Sequence, residues 1–457
     1  MASTHNLSQK TNIKVFAFSS GAIKGLYHFG IWDKLIQNMK IDRDSKYIFT
    51  GSSIGSLVAT KAYHDVTMKQ QGINYVDQQK PYYDQMEKIT GINIYDLKES
   101  EKYVHIEAIK IFTNNNYTVN PIWLSLQMLG NMLTFNGALF KDTKKNELIR
   151  DIICRENLKT DEYDFKINLI NELRVSATDM NSGKIISFES HIDNKINVYN
   201  NKSLLFQSKL CDENIVNVLT ASSSIPLVYN QVKCYLKNVD KKNIDEIIFD
   251  DNSNTDSNST LHELKLYDGG VSTDYSTYSL FNDIRNGKID KIEQFIICDA
   301  ENYFDLFNVS NKSDNKSSGI VSTIGSLLNN YDKYIKYNDL LEVIGSDLIH
   351  IDTKCTPIRS YIDNNKLNNE NMYIVEIIAT IDKDETQKDI TIQLYTCKKA
   401  FSNMNIKEII YIGLNIDMSI YDIISNQSKV VDLIPKMYKQ GNKIAELLID
   451  INLIEKI

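Results

Sequence analysis

A serine flanked by glycines stands at Gly51-Ser52-Ser53-Ile54-Gly55. A chain that turns sharply from a strand into a helix needs small residues two before and two after the central one. The turn leaves Ser53 exposed at a helix N-terminus, where free N–H groups and the helix dipole favour negative charge. Such a serine can attack a carbonyl. The plainer reading of the same residues is a helix cap, with Ser52 or Ser53 satisfying backbone donors. A second candidate is Asp268 in Tyr267-Asp268-Gly269-Gly270. A carboxylate at a strand end, followed by two glycines, can approach another loop closely. Within hydrogen-bond reach of Ser53 it would take the hydroxyl proton as a general base. By itself, D-G-G is also an ordinary turn. The third candidate is the small-residue turn Ser20-Gly21-Ala22-Ile23-Lys24-Gly25. Its backbone N–H groups, with that of Ile54, could receive an oxyanion, or the turn could simply pack a helix start. It matches neither G-x-x-x-x-G-K-[ST] nor G-x-G-x-x-G, so a phosphate loop is not indicated.

Seven histidines are present. Only His350 follows Asp268, as a Ser–Asp–His order would require. It lies in the strand-like run Asp347-Leu348-Ile349-His350-Ile351. A Ser–Asp pair without histidine fits at least as well, and His28 reads as a packing or capping residue.

The elements that must position these residues are legible as two strand–turn–helix units. Ile13 to Ser19 is a short apolar run rich in β-formers, and Lys24 to Ile36 carries Leu26, Phe29, Ile31 and Leu35 at helical spacing. Tyr47 to Thr50 reads as the next strand and Ser56 to Tyr63 as the next helix. Two such units in succession imply a parallel sheet with helices on its faces. Residues 84–160 read as mostly helical. Strands are expected at 166–171, 173–178 and 184–188, the last two joined by the turn Asn181-Ser182-Gly183. Phe295 to Cys298 reads as a further strand. In the tail, strand-like runs at 372–381, 390–395 and 408–412 precede a helix near 430–453. The polar stretches 250–260 and 308–318 read as loops. With 5 prolines, 18 glycines and no repeat, one large domain with loop insertions is the simplest organisation.

Composition bounds the function. Of 457 residues, 42% are hydrophobic and 24% charged, a globular balance. The net charge of −8 argues against nucleic acid as the main partner, though a local basic patch could still face a membrane. Six scattered cysteines show no metal-type spacing and read as reduced thiols. The polar start, Met1 to Asn12, lacks a signal-peptide run, and no stretch reaches the roughly 18 uninterrupted apolar residues of a span. The expectation is a cytoplasmic or otherwise intracellular protein. Pro121 to Phe140 is the most apolar segment, with Trp123 as a candidate interfacial anchor; it reads equally as a lid or membrane-docking helix and as a core helix.

Taken in order, the three candidate motifs resemble the patatin-like phospholipases, whose pattern is G-G-G-x-[KR]-G, then G-x-S-x-G, then D-G-[GA]. Further segments are similar to that family: Ala177-Thr178-Asp179-Met180-Asn181-Ser182-Gly183 to A-T-D-x-x-x-G, Ala221-Ser222-Ser223-Ser224-Ile225-Pro226 to A-S-x-A-x-P, and Gly137-Ala138-Leu139-Phe140 to a helix entry. The resemblance covers about residues 13–300. It implies a three-layer α/β sandwich, a mostly parallel central sheet with helices on both faces, with 13–300 as the catalytic core and 301–457 as an extension of flanking strands and a terminal helix. It implies hydrolysis of fatty-acyl esters of phospholipids or related lipids by a phospholipase A-type serine acyl hydrolase. Ser53 would be the nucleophile and Asp268 the base. Gly21, Ala22 and Ile54 would supply the oxyanion hole, with Lys24, Gly25, Gly51, Gly55, Gly269 and Gly270 completing the motifs. No metal or organic cofactor is implied, and the partners would be an acyl lipid and, transiently, a membrane surface. The chain departs from the pattern at Ser20 and Ala22, where glycines are usual, and at Asp274, where an Asn is usual. If position 22 needs a positive φ, alanine there costs roughly a kcal/mol. The departures keep two alternatives open: a pseudoenzyme that binds membrane or protein, and a transacylase using the same site.

Overall fold

The computed structural model of the chain describes residues 12–72, 80–90, 171–191, 195–200, 203–209, 212–226, 229–237, 261–302, 371–381, 390–398, 405–416 and 427–457. It also describes short pieces at 92–93, 98–99, 145–146, 149–150, 246–248 and 348–351, and single positions 358, 362 and 418. The first strand, β1 (Ile13–Phe18), runs into a 3-10 turn at Ala22–Gly25 and then α1 (Leu26–Asn38). The unit repeats as β2 (Lys46–Ser52) and α2 (Ile54–Gln70). After α3 (Lys80–Thr90) come the short β3 (Ile92–Asn93) and β4 (Lys98–Glu99), which pair with each other. The mostly helical reading of 84–160 is met over 84–90 and at 145–146 and 149–150, and is corrected at 92–93 and 98–99, where two short strands pair antiparallel; the apolar segment Pro121 to Phe140, the Gly137 to Phe140 match, the strand expected at 166–170 and both polar loops lie outside the described residues.

An antiparallel run follows: β5 (Glu172–Asp179), β6 (Lys184–His191), β7 (Lys195–Asn200) and β8 (Ser203–Lys209). Then come α4 (Asp212–Ser222), β9 (Val232–Lys237), β10 (Glu246–Ile248), β11 (Leu261–Asp268), α5 (Tyr278–Arg285) and β12 (Ile292–Cys298). The last elements are β13 (Leu348–Ile351), β14 (Asn371–Ile381), β15 (Ile390–Lys398), β16 (Ile406–Ile416) and α6 (Gln427–Asp450).

Fourteen strands form one sheet, in the order β10-β9-β11-β5-β2-β1-β12-β16-β14-β15-β13, with β6 to β8 continuing from β5. The six strands from β5 to β14 are parallel and form its centre. The margins are antiparallel. A parallel centre must be covered on both faces, so its strands are apolar on both. In β1, Phe16 and Phe18 face one core together with α1, α2, α3, α4 and α6. Val15 and Ala17 face the other, with Leu280, Phe281 and Ile284 of α5. On the first face Trp32 meets Phe16 edge-on at 5.5 Å, an arrangement worth about 0.5–1.5 kcal/mol beyond burial. β16 lies between β12 and β14, so the tail extends the same sheet.

One buried polar junction ties four helices. Asp33 of α1 accepts hydrogen bonds from Tyr82 of α3 (2.9 Å) and Tyr438 of α6 (2.8 Å), and Lys61 of α2 stands 3.9 Å away. Lys61 also bridges Asp65 at 2.5 Å, and Trp32 Nε1 donates to Asp65 at 2.9 Å. Burial raises the Asp33 carboxyl to about 6, against the lowering pull of Lys61 and the two tyrosine hydroxyls. No described helix is long and apolar enough to cross a membrane. Cys234, Cys298 and Cys397 are buried thiols.

Candidate active site

The two candidate residues meet because two strands share one edge of β5. β2 runs parallel to β5 and ends with Ser52 opposite Ser176. β11 runs antiparallel and ends with Asp268 opposite Ala177. β6 occupies the other edge of β5 along Arg174 to Asp179. β2 and β11 therefore approach each other head-on, and their ends stop at adjacent positions of the same strand. The residue after β2 is Ser53, and the last residue of β11 is Asp268.

Ser53 Oγ donates to Asp268 Oδ2 at 2.7 Å. The other carboxylate oxygen, Oδ1, accepts the Gly270 N–H at 2.8 Å. Both residues are 4% exposed, which strengthens the contact by excluding water. Backbone bonds hold Asp268 on both sides. Its N–H donates to Ser224 O at 2.9 Å, and its carbonyl accepts the Thr178 hydroxyl at 2.9 Å. Gly269 allows the close approach: a Cβ there would lie 2.3 Å from the Ser176 carbonyl and 2.4 Å from Ser52 Oγ.

Ser53 adopts φ 54°, ψ −128°, a conformation that costs a non-glycine residue on the order of 1–3 kcal/mol. The surroundings impose it. The Ser53 N–H donates to Ser222 Oγ at 3.1 Å, and its carbonyl accepts Ser56 N (3.0 Å) and Ser56 Oγ (2.6 Å). The elbow packs backbone on backbone, since a Cβ on Gly55 would sit 2.3 Å from the Phe18 carbonyl. Gly51 faces Gly55 in the same way.

The first turn abuts this elbow. The Ile54 side chain lies against Gly25, and Gly21 lies against Ala300. Ile54 opens α2 and Ala22 opens the 3-10 turn, so neither amide has an acceptor within its own helix. Ala22 has φ 49°, the left-handed conformation that costs alanine about 1–2 kcal/mol. Lys24 forms an ion pair with Glu301 just beyond β12, which anchors the turn. Asp274, buried, accepts from Ser20.

The histidines stand elsewhere. His28 Nε2 lies 3.3 Å from Ser19 Oγ, behind the first turn. His350 sits on β13 against Tyr395, six strands from β2, about 29 Å at the usual strand spacing.

Sequence reasoning did not anticipate Ser222 as acceptor of the Ser53 N–H, nor Thr178 and Ser224 as the clamps of Asp268. The signals were present, since all three lie in the A-T-D and A-S-x-A-x-P segments. Ser224 Oγ in turn accepts Lys145 Nζ at 2.8 Å.

The profile of one protein family, described as Patatin-like phospholipase, matches residues 16–280, more than half of the chain. No match was found among curated proteins.

Proposed function

Because this chain belongs to the patatin-like phospholipase family, whose members act on lipid acyl esters, we propose that it cleaves fatty-acyl esters of phospholipids or related lipids with Ser53 and Asp268. Ser53 Oγ attacks the ester carbonyl carbon while its proton passes to Asp268 Oδ2. The resulting oxyanion is received by the N–H groups of Gly21, Ala22 and Ile54 at the start of α2, where the helix dipole favours negative charge. Collapse of the tetrahedral species breaks the ester bond, and Asp268 returns the proton to the leaving alkoxide. Water then attacks the acyl-enzyme, its proton goes to Asp268, and the fatty acid leaves as Ser53 is reprotonated. The observation that most supports this reading is the 2.7 Å bond from Ser53 Oγ to Asp268 Oδ2, with the second carboxylate oxygen held by Gly270. We read residues 13–300 as the catalytic core and 301–457 as an extension of its sheet, in keeping with the pairing of β16 to β12.

The test is fatty-acid release from mixed phospholipid vesicles and from a soluble ester, with chelator present, by wild type and Ser53→Ala. Activity in the wild type that is lost in the variant is the expected result. Equal activity in both would refute the role of Ser53. Inactivity of both on every ester would favour the pseudoenzyme reading, for which the strained Ala22 is the supporting feature. Labelling of wild type by a fluorophosphonate, which needs an activated serine, separates those cases. A transacylase would share the site and would show acyl transfer to an added alcohol.

A further inference from the structure

The turn that carries the candidate oxyanion donors is tied to the loop that carries the candidate base, and the tie is made by two residues that depart from the family pattern. Ser20 precedes Gly21 and Ala22. Its N–H donates to Asp274 Oδ1 at 3.0 Å and to the Asp274 carbonyl at 3.1 Å, and its hydroxyl donates to the same Oδ1. Asp274 is fully buried and Ser20 is 8% exposed. The Ser20 side chain also fills the space above Gly270, where an added Cβ would lie 2.8 Å from Ser20 Cβ. Gly270 is the residue whose N–H holds Asp268 Oδ1. On the other side, the Ser20 carbonyl accepts the Ser19 hydroxyl at 2.7 Å, and Ser19 Oγ accepts the Ala300 N–H at 2.8 Å.

The two departures are chemically matched. A buried carboxylate, where it is ionised, needs more donors than a neutral amide in the same place. A glycine at position 20 would offer its N–H alone. Serine offers the N–H and a hydroxyl, and both go to one carboxylate oxygen.

We propose that Ser20 and Asp274 act as one positioning pair for ester cleavage, their hydroxyl–carboxylate bond fixing the amides of Gly21 and Ala22 relative to Ser53 and Asp268. Neither residue touches the substrate. The inference rests on the reading of Ser53 as nucleophile and adds to it a reason why this chain tolerates serine and aspartate at two positions where the family pattern has glycine and asparagine.

The test is steady-state kinetics on a soluble ester with wild type, Ser20→Gly, Ser20→Ala and the double variant Ser20→Gly/Asp274→Asn, each shown to be folded by circular dichroism and thermal melting. Loosening the turn lowers kcat of both single variants by about ten- to a hundredfold, since a displacement of about 1 Å costs up to about a hundredfold. KM stays within about twofold, because uniform binding is untouched. The double variant needs only one donor at position 274, and it recovers kcat to within about threefold of wild type, a non-additivity expected of residues acting as a unit. Ser20→Ala keeps the backbone restricted, so it carries the test if the glycine variant does not fold. Wild-type kcat in Ser20→Ala, or a double variant no better than Ser20→Gly, overturns the pair while leaving the Ser53 reading intact. A folded wild type that cleaves no ester overturns both.

Discussion

Replacing Asp33 by asparagine should shift the balance of stability toward the variant as pH rises from 4 to neutral. Asp33 is fully buried, and burial raises its carboxyl from 3.8 to about 6 in spite of Lys61, Tyr438 and Tyr82; Asp65 adds to the rise. A folded-state value above the unfolded one means that the native protein binds this proton more tightly. The stabilisation is present below about pH 4 and is lost as pH rises through about 6. At about 1.4 kcal/mol per pH unit, the rise corresponds to about 3 kcal/mol between the two limits. The amide of the Asp33→Asn variant keeps an oxygen to accept Tyr82 and Tyr438 and carries no charge at any pH. Lys61 retains Asp65 at 2.5 Å. An amide hydrogen without an acceptor would lower the variant by the same amount at every pH, so only the pH-dependent part is diagnostic. The assay is urea unfolding of both proteins between pH 4 and 8. The variant minus wild-type difference should climb with pH and level off above about 7, with a rise of about 2.5 kcal/mol across this window. A flat or falling difference would refute the claim that burial outweighs Lys61 at this site.

Two further outcomes bear on the chemistry. Asp268→Asn retains an oxygen for the Gly270 N–H but cannot take a proton, so kcat on a soluble ester should fall by about 10²–10⁴ with melting within a few degrees of wild type. Ala22→Gly releases the left-handed strain of about 1–2 kcal/mol and gives back about 0.4–1 kcal/mol of unfolded-chain entropy; calorimetry should show a melting temperature raised by about 1–2 °C, with kcat not reduced.

The strand–turn–helix units around Ser53 were legible because their signals are local: an apolar run, glycines at the turn, and helical spacing after it. The same holds for Asp268 at the end of β11. What escaped the sequence is what only tertiary contact creates. The head-on arrangement of β2 and β11 on β5 has no signature, because pairings as distant as Ile48 with Glu172 and Leu266 with Asp179 leave no local trace. The β7–β8 hairpin lies in a region where abundant Asn blurs the turn signal. Asp33, Lys61, Tyr82 and Tyr438 are individually ordinary, and only the meeting of four helices makes them a network. Ser20 and Asp274 could be seen as departures, but their mutual bond could not. The tail strands were anticipated as strands; that they enter the parallel centre through β16 follows from register and not from composition.

The Ser53–Asp268 bond joins residues 215 apart in the chain. At a synthesis rate of about 5–20 residues per second, the serine is incorporated roughly 10–40 s before the aspartate. On the reading above, a nascent or prematurely terminated chain that ends before β11 holds a nucleophile with no base. On that reading the site stays incomplete during translation, and the delay is set by the distance between two motifs along the message.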